Sequence, residues 1–328
     1  MATSETQQLD EVIVSSRRKM LALGGAALAG LAFAGVKIAK ADTPAYTDAD
    51  ILNFALNLEY LEAQFYTLAT AGKTIDQLGL GIGAGTATSG GGTVTVKSSD
   101  PASCLVPWTI PAIQAYATET AQEERNHVTF LRTALGASAV AQPNLDLYSS
   151  FNTLATNAGI ASSFDPFAND LNFLIGAYIF EDVGVTAYSG AAPLITTPAY
   201  LGAAAGILAV EAYHAGLIRT SIFGLDPRGT VGLQGYTQKI SATRMALDGS
   251  STVDDIGVGF QNVSTGAPNL TINASTIVDA QTGAPNYSKT YSRTTTQVLR
   301  IVTGTTAPAA SGKYEGVFFP NGLNGLFS

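Results

Sequence analysis

The sequence predicts an all-α fold: an antiparallel four-helix bundle with one long crossover and an irregular C-terminal extension. Three observations predict it. Four long apolar stretches are each bracketed by helix start and stop residues. The links between them fit an antiparallel pair, a long crossover and a second antiparallel pair. The two histidines of the chain, His127 and His214, each follow a glutamate by three residues, Glu124 and Glu211. With ten glutamates in 328 residues, chance would place both about once in a thousand sequences.

The elements follow in order. Ser16-Arg17-Arg18-Lys19 ahead of the apolar run Met20–Val36, then Ala39-Lys40-Ala41, reads as a twin-arginine signal peptide over residues 1–41. Cleavage after Ala41 would leave a mature chain starting at Asp42, periplasmic or secreted, with no stable membrane span. The twin-arginine route carries folded proteins, which suits a metal site assembled before export. Removing residues 1–41 takes five of the 17 Lys+Arg and three of the 25 Asp+Glu. That leaves 12 against 22, a net charge near −10, which argues against nucleic acid or anionic lipid as partner. The single cysteine, Cys104, excludes an internal disulfide framework and reads as a buried apolar residue.

A bundle domain is expected over 42–224. Its first helix opens at Thr47-Asp48-Ala49-Asp50, a capping-box start, and runs to Ala71 before Gly72. A Gly/Thr/Ser-rich insertion occupies 72–106, with a short strand at Thr93–Val96. The second helix runs from Thr109-Ile110-Pro111 to Leu135-Gly136. After the crossover 137–164, the third is expected from Asp165-Pro166 to Ser189-Gly190. The turn 191–196 leads into the fourth, from Thr197-Pro198 to Phe223-Gly224. The extension, 225–328, is rich in Gly, Ser, Thr and Asn. It carries helical stretches at Gln238–Leu247 and Thr294–Val302, and apolar groups at Val317–Phe319 and Leu323–Phe327 with which to dock on the bundle.

Four glutamates lie at matching depth in these helices, each inside a strongly apolar segment: Glu59, Glu124, Glu181 and Glu211. Four buried carboxylates at one level need cations or protons to offset their repulsion. Positions i and i+3 share a helix face, so Glu124 with His127 and Glu211 with His214 converge with Glu59 and Glu181 as six ligands. One Glu from each of two helices and Glu-x-x-His from each of the others is the pattern of a carboxylate-bridged dinuclear site. Oxygen-rich ligation with one nitrogen per ion suits two ions of iron or manganese. Tyr66 and Tyr188 lie seven residues after Glu59 and Glu181, two helical turns on. They are the candidate catalytic groups, placed to hydrogen-bond a ligand on a neighbouring helix and relay a proton. Glu62 is open between an extra ligand, an acceptor for an imidazole N–H and a partner of Arg125. Glu119, Glu123 and Asp182 read as solvated groups or as supports for the ligands.

The segments Leu52–Tyr66, Glu123–Leu131, Phe180–Tyr188 and Val210–His214, with tail pieces Tyr291–Val302 and Phe318–Gly325, resemble the ferritin-like superfamily. Within it they are similar to exported ferritin-like-domain proteins related to plant desiccation-related proteins. The resemblance implies a ferritin-like four-helix bundle with a dinuclear site and supplies no reaction. The function expected from the ligand set is redox chemistry on a small oxidant, oxygen or hydrogen peroxide, in stress protection, as a di-iron oxidase or peroxidase or a manganese-catalase-like oxidoreductase. The alternative is a structural or desiccation-protective envelope protein in which the bundle is a scaffold. Iron storage is disfavoured, because the long insertions would obstruct shell packing; a smaller homo-oligomer remains open.

Overall fold

Why each helix packs as it does follows from how its apolar residues are distributed. In a computed structural model, α1 (Asp48–Ala71) lies along α2 (Pro111–Leu135). The crossover carries a short α3 (Ser149–Asn157), and α4 (Asp170–Ala191) lies along α5 (Pro198–Leu225). The structure describes residues 46–250, 254–261, 271–273 and 289–328. The signal and cleavage site expected within residues 1–41 lie outside them. α1 is buried almost all round from Ile51 to Ala69, as α4 is from Phe173 to Tyr188, the pattern of helices enclosed on every side. α2 and α5 keep one face outward.

The caps explain the boundaries. The Thr47 hydroxyl accepts from the Asp50 N–H while the Asp50 carboxylate accepts from the Thr47 N–H, and Gly72 ends α1 at φ 60°. Pro111 opens α2, but Thr109 does not cap it. The Thr109 and Ile110 N–H groups donate instead to the Asp170 carboxylate, which ties the start of α2 to the first residue of α4. The third bundle helix begins at Asp170 rather than at Asp165-Pro166. Asp165 is engaged by Lys97 Nζ at 2.8 Å and by the Phe167 N–H, which holds it in a turn, and Asn169 caps the helix by accepting from the Asn172 N–H.

The two long connections are tied to each other. β1 (Val94–Thr95) in the insertion pairs in parallel with β2 (Leu145–Asp146) in the crossover, with Val94 opposite Leu145. Arg132 of α2 donates to the carbonyls of Gly83, Gly85 and Ala87 at 2.8–2.9 Å, organising the glycine-rich loop around one guanidinium. Cys104 is buried and its thiol is pushed up by burial.

The extension contributes α6 (Leu233–Asp248), the antiparallel pair β3 (Gly259–Gln261) and β4 (Thr271–Asn273), and α7 (Thr295–Thr303). α6 begins five residues earlier than the Gln238 expected from the sequence. Phe318 and Phe319 are buried, worth about 1.5–3 kcal/mol each. The Phe318 ring meets Phe151 and Phe180 at centroid distances of 5.2 and 4.9 Å. Asn324 and the buried Asn57 of α1 exchange two hydrogen bonds of 2.9 Å, which explains a polar residue in the middle of α1. Asp182, expected at the surface, is buried in a charge network. It accepts from Arg219 at 2.7 Å and Arg244 at 2.9 Å; Arg244 also pairs with Asp255, and Arg293 joins Asp255 to Asp248. These pairs lock α6 and the segment before α7 onto α4.

By length and composition α5 is the one helix among the described residues that is apolar enough to cross a membrane. In the structure its ionisable Glu211, His214 and Arg219 face the interior, while Gly202, Ala205, Gly206 and Ala209 lie outward.

Candidate metal centre

The register of the helices brings the carboxylates together. Counted from the first residue of each helix, Glu59 and Glu181 are both twelfth, in α1 and α4, and Glu124 and Glu211 are both fourteenth, in α2 and α5. The two halves are thus related by an approximate internal two-fold.

All six residues expected as ligands are buried and converge in two overlapping groups, Glu59, Glu124, His127 and Glu211, and Glu124, Glu181, Glu211 and His214. Within each group one donor atom per residue lies within 4.8 Å of the others, and Glu124 and Glu211 belong to both. His127 Nδ1 is 3.1 Å from Glu59, 3.5 Å from Glu124 and 3.6 Å from Glu211. His214 Nδ1 is 3.0 Å from Glu124 and 3.4 Å from Glu181. The ring centroids are 6.4 Å apart.

Several atoms that face this centre lack a hydrogen-bond partner although fully buried: both oxygens of Glu124, both of Glu211, one of Glu181, and His214 Nδ1. Unpartnered buried carboxylates are expensive, and a cation is the partner that suits all of them together. The donor set therefore fits metal ions.

The proton distribution points the same way. Burial pushes Glu59 up to about 7 and raises Glu62, Glu181 and Glu211 above the usual carboxylate range. In Glu124 burial acts upward too, but the two imidazoles beside it, His127 and His214, outweigh it and bring the carboxyl down to about 2. Burial likewise disfavours charge on the imidazoles, yet the Glu59 carboxylate lifts His127 to about 11 and the Glu181 carboxylate lifts His214 to about 12. Protons and imidazolium charge thus offset the crowded carboxylates where metal charge would otherwise do so.

The two tyrosines lie where their spacing places them, and they cross over. Tyr66 of α1 donates to Glu181 of α4, and Tyr188 of α4 donates to Glu59 of α1. Burial raises both phenols well above their ordinary range, so each keeps its proton. Each therefore occupies one oxygen of a carboxylate whose other oxygen faces the imidazoles.

Of the two roles open to Glu123, the structure gives it that of a support: it accepts from His214 Nε2 at 2.7 Å, which turns Nδ1 toward the centre. Gly184 is the contributor the sequence did not reveal. Gly184 lies one turn after Glu181, and a Cβ there would overlap Glu211 Oε2 and stand 3.0 Å from its Cδ. The corresponding position after Glu59 is Glu62, so the internal two-fold sets a carboxylate opposite a bare backbone. Glu62 is buried but belongs to neither ligand group. It bonds to no imidazole, and Arg125 donates to Thr67 and Gln122 instead. Glu119 stays at the surface, accepting from the Tyr213 hydroxyl at 3.2 Å.

Residues 47–223 match the family model described as the ferritin-like domain. The chain is 32% identical over 221 residues to the desiccation-related protein PCC13-62 of Craterostigma plantagineum, covering 65% of this chain and 66% of that one, just under two thirds of its length. It is 28% identical over 293 residues to the ferritin-like catalase Nec2 of Nesocodon mauritianus, covering 85% and 84%. No solved structure matches the chain.

Proposed function

The chain belongs to the ferritin-like domain family, and from that premise we propose a dinuclear iron or manganese protein that carries out redox chemistry on oxygen or hydrogen peroxide outside the cytoplasm. The observation that carries this reading is the set of unpartnered buried oxygens on Glu124 and Glu211, the two residues common to both ligand groups. Glu124 and Glu211, common to both groups, would help to hold either ion, with Glu59 and His127 completing one group and Glu181 and His214 the other. Four carboxylates and two imidazoles suit iron or manganese better than structural zinc. When bound, such a pair of ions supplies electron exchange with an O–O bond.

The chain's own residues do the rest. Glu123 accepts a hydrogen bond from the Nε2–H of His214 and keeps the proton on that nitrogen, so that Nδ1 would be the atom offered to a metal. Tyr66 and Tyr188 hold protons beside Glu181 and Glu59 and are the groups proposed to relay them to a reduced oxygen atom. The surrounding apolar residues of α1 and α4 keep bulk water from the site. Similarity to a ferritin-like catalase supports peroxide as substrate, while oxygen rests on the ligand set alone.

Metal analysis of protein loaded with iron or manganese tests the reading: about two ions per chain are expected, with turnover of peroxide or oxygen. Fewer than about one ion per two chains counts decisively against it. Similarity to a desiccation-related protein favours a second reading, in which the bundle is a protective scaffold. Glu124→Gln with Glu211→Gln separates the two: turnover lost with the fold retained supports the enzyme, whereas protection in drying assays unchanged by the substitutions supports the scaffold.

A further inference from the structure

How a small substrate would reach this centre is written in two cavities between the bundle and the extension, an inference that rests on the function proposed above. The inner cavity is lined by Leu58, Leu61, Glu62, Val183 and Gly184, with Val302 and Phe318 of the extension closing it. The outer one lies among Phe151 and Leu154 of α3, Phe164 of the loop before α4, and Ile240 and Leu247 of α6. Ile179 of α4 and Ile301 of α7 line both cavities, so the two share a wall formed by these side chains.

The inner cavity touches the ligands at Gly184. There a side chain would overlap Glu211 Oε2 and come within 3.7 Å of Glu62 Oε1. Because Gly184 has no Cβ, Glu211 Oε2 packs directly on its backbone, so the cavity and a ligand lie on two sides of one residue. Thr243 and Arg244 reach the outer cavity, but beyond Ile179 and Ile301 the inner lining is hydrocarbon and aromatic apart from Glu62. Hydrogen peroxide would enter such a passage by shedding its water partners, at about 2–7 kcal/mol per unpaired hydroxyl. A neutral apolar diatomic sheds nothing of comparable value, and apolar cavities of this kind stay dry and admit gases such as xenon.

We propose that these cavities form the passage by which dioxygen reaches the centre, with Ile179 and Ile301 as its constriction and Glu62 and Gly184 at its inner end, against the Glu211 carboxylate. The extension thereby acquires a role: α7 and Phe318 build one wall of the passage, and the Arg293–Asp255 and Arg293–Asp248 pairs hold the start of α7 in place.

Xenon tests the passage without any metal. In the metal-free wild-type chain under xenon pressure, methyl resonances of Ile179, Ile301 and Val183 should shift saturably. Ile179→Trp, or Ile179→Phe where tryptophan disturbs folding, should abolish those shifts at Val183. In the metal-loaded, reduced protein, the same substitution should lower the bimolecular rate constant with dioxygen at least about tenfold, as expected of a gating residue, with metal content unchanged. Absence of xenon shifts in the wild type, or an unchanged oxygen rate in a variant that excludes xenon, overturns the passage alone. A loaded wild type that turns over peroxide but not dioxygen, despite xenon entry, likewise overturns the passage alone, whereas one that reacts with neither overturns the proposed function and this inference with it.

Discussion

Replacing Gly184 by alanine adds one carbon where the Glu211 carboxylate already lies against the α4 backbone. The new Cβ would overlap Oε2 and press on Cδ at 3.0 Å, and the flanking backbone is interior helix with no slack of its own. The carboxylate must yield, by roughly 1 Å, whereas coordination distances tolerate about 0.2 Å. A misplacement of that size typically costs on the order of 10²-fold, so metal affinity should fall about 10–100-fold. Helix propensity acts in the opposite direction: alanine in a helix interior is favoured over glycine by about 1 kcal/mol. The metal-free variant should therefore keep its circular dichroism and a melting temperature near that of the wild type. Chelator competition with iron or manganese, alongside thermal melts, reads both quantities. A folded Gly184→Ala chain that binds metal with wild-type affinity would refute the argument that Glu211 needs this gap.

Tyr188→Phe removes the donor to the buried Glu59 carboxylate, a loss of about 1–3 kcal/mol; metal affinity should weaken, and more so at lower pH because the Glu59 proton then competes harder. Affinity measured at two pH values checks both the size and the sign. Asp255 is raised by burial, but Arg244 and Arg293 bring it down to about 2, below its ordinary 3.8. Its contribution to stability is therefore complete above the ordinary value and lost as pH falls through about 2, amounting to about 2 kcal/mol. In urea titrations the stability advantage of the wild type over Asp255→Asn should shrink by about that amount between roughly pH 5 and pH 2, and a gap that does not move with pH contradicts it. Replacing Arg17 and Arg18 by lysine should block export through the twin-arginine route, and the exported wild type should begin at Asp42; a mature protein that retains residues 1–41 contradicts the signal reading.

Much of the architecture was readable because local chemistry and global packing agree. Thr47 with Asp50, Pro111, Pro198 and the glycines after Ala71 and Leu135 mark helix ends through interactions a few residues long. The convergence of Glu59, Glu124, His127, Glu181, Glu211 and His214 follows from helix periodicity and matching depth. What could not be read depends on partners distant in the chain. Asp165-Pro166 has the form of a helix start, but Lys97 draws Asp165 into a turn and leaves capping to Asn169. α3 has a weak local signature, and its start depends on Asp146, whose carboxylate accepts from the Ser149 N–H at 2.8 Å. Asp182 has the polarity of a surface residue, and only Arg219 and Arg244, brought in by α5 and the extension, explain its burial. The space beside Gly184 is a property of two helices and is invisible in either one.

The pairing of Glu62 with Gly184 has one more implication. A truly symmetric cluster would have interchangeable ends, and nothing arriving could distinguish one ion from the other. Here Glu62 leans over Gly184, its Oε1 3.7 Å from where a side chain would begin, so the two-fold is broken by one unmatched acid on the side where α1 meets α4.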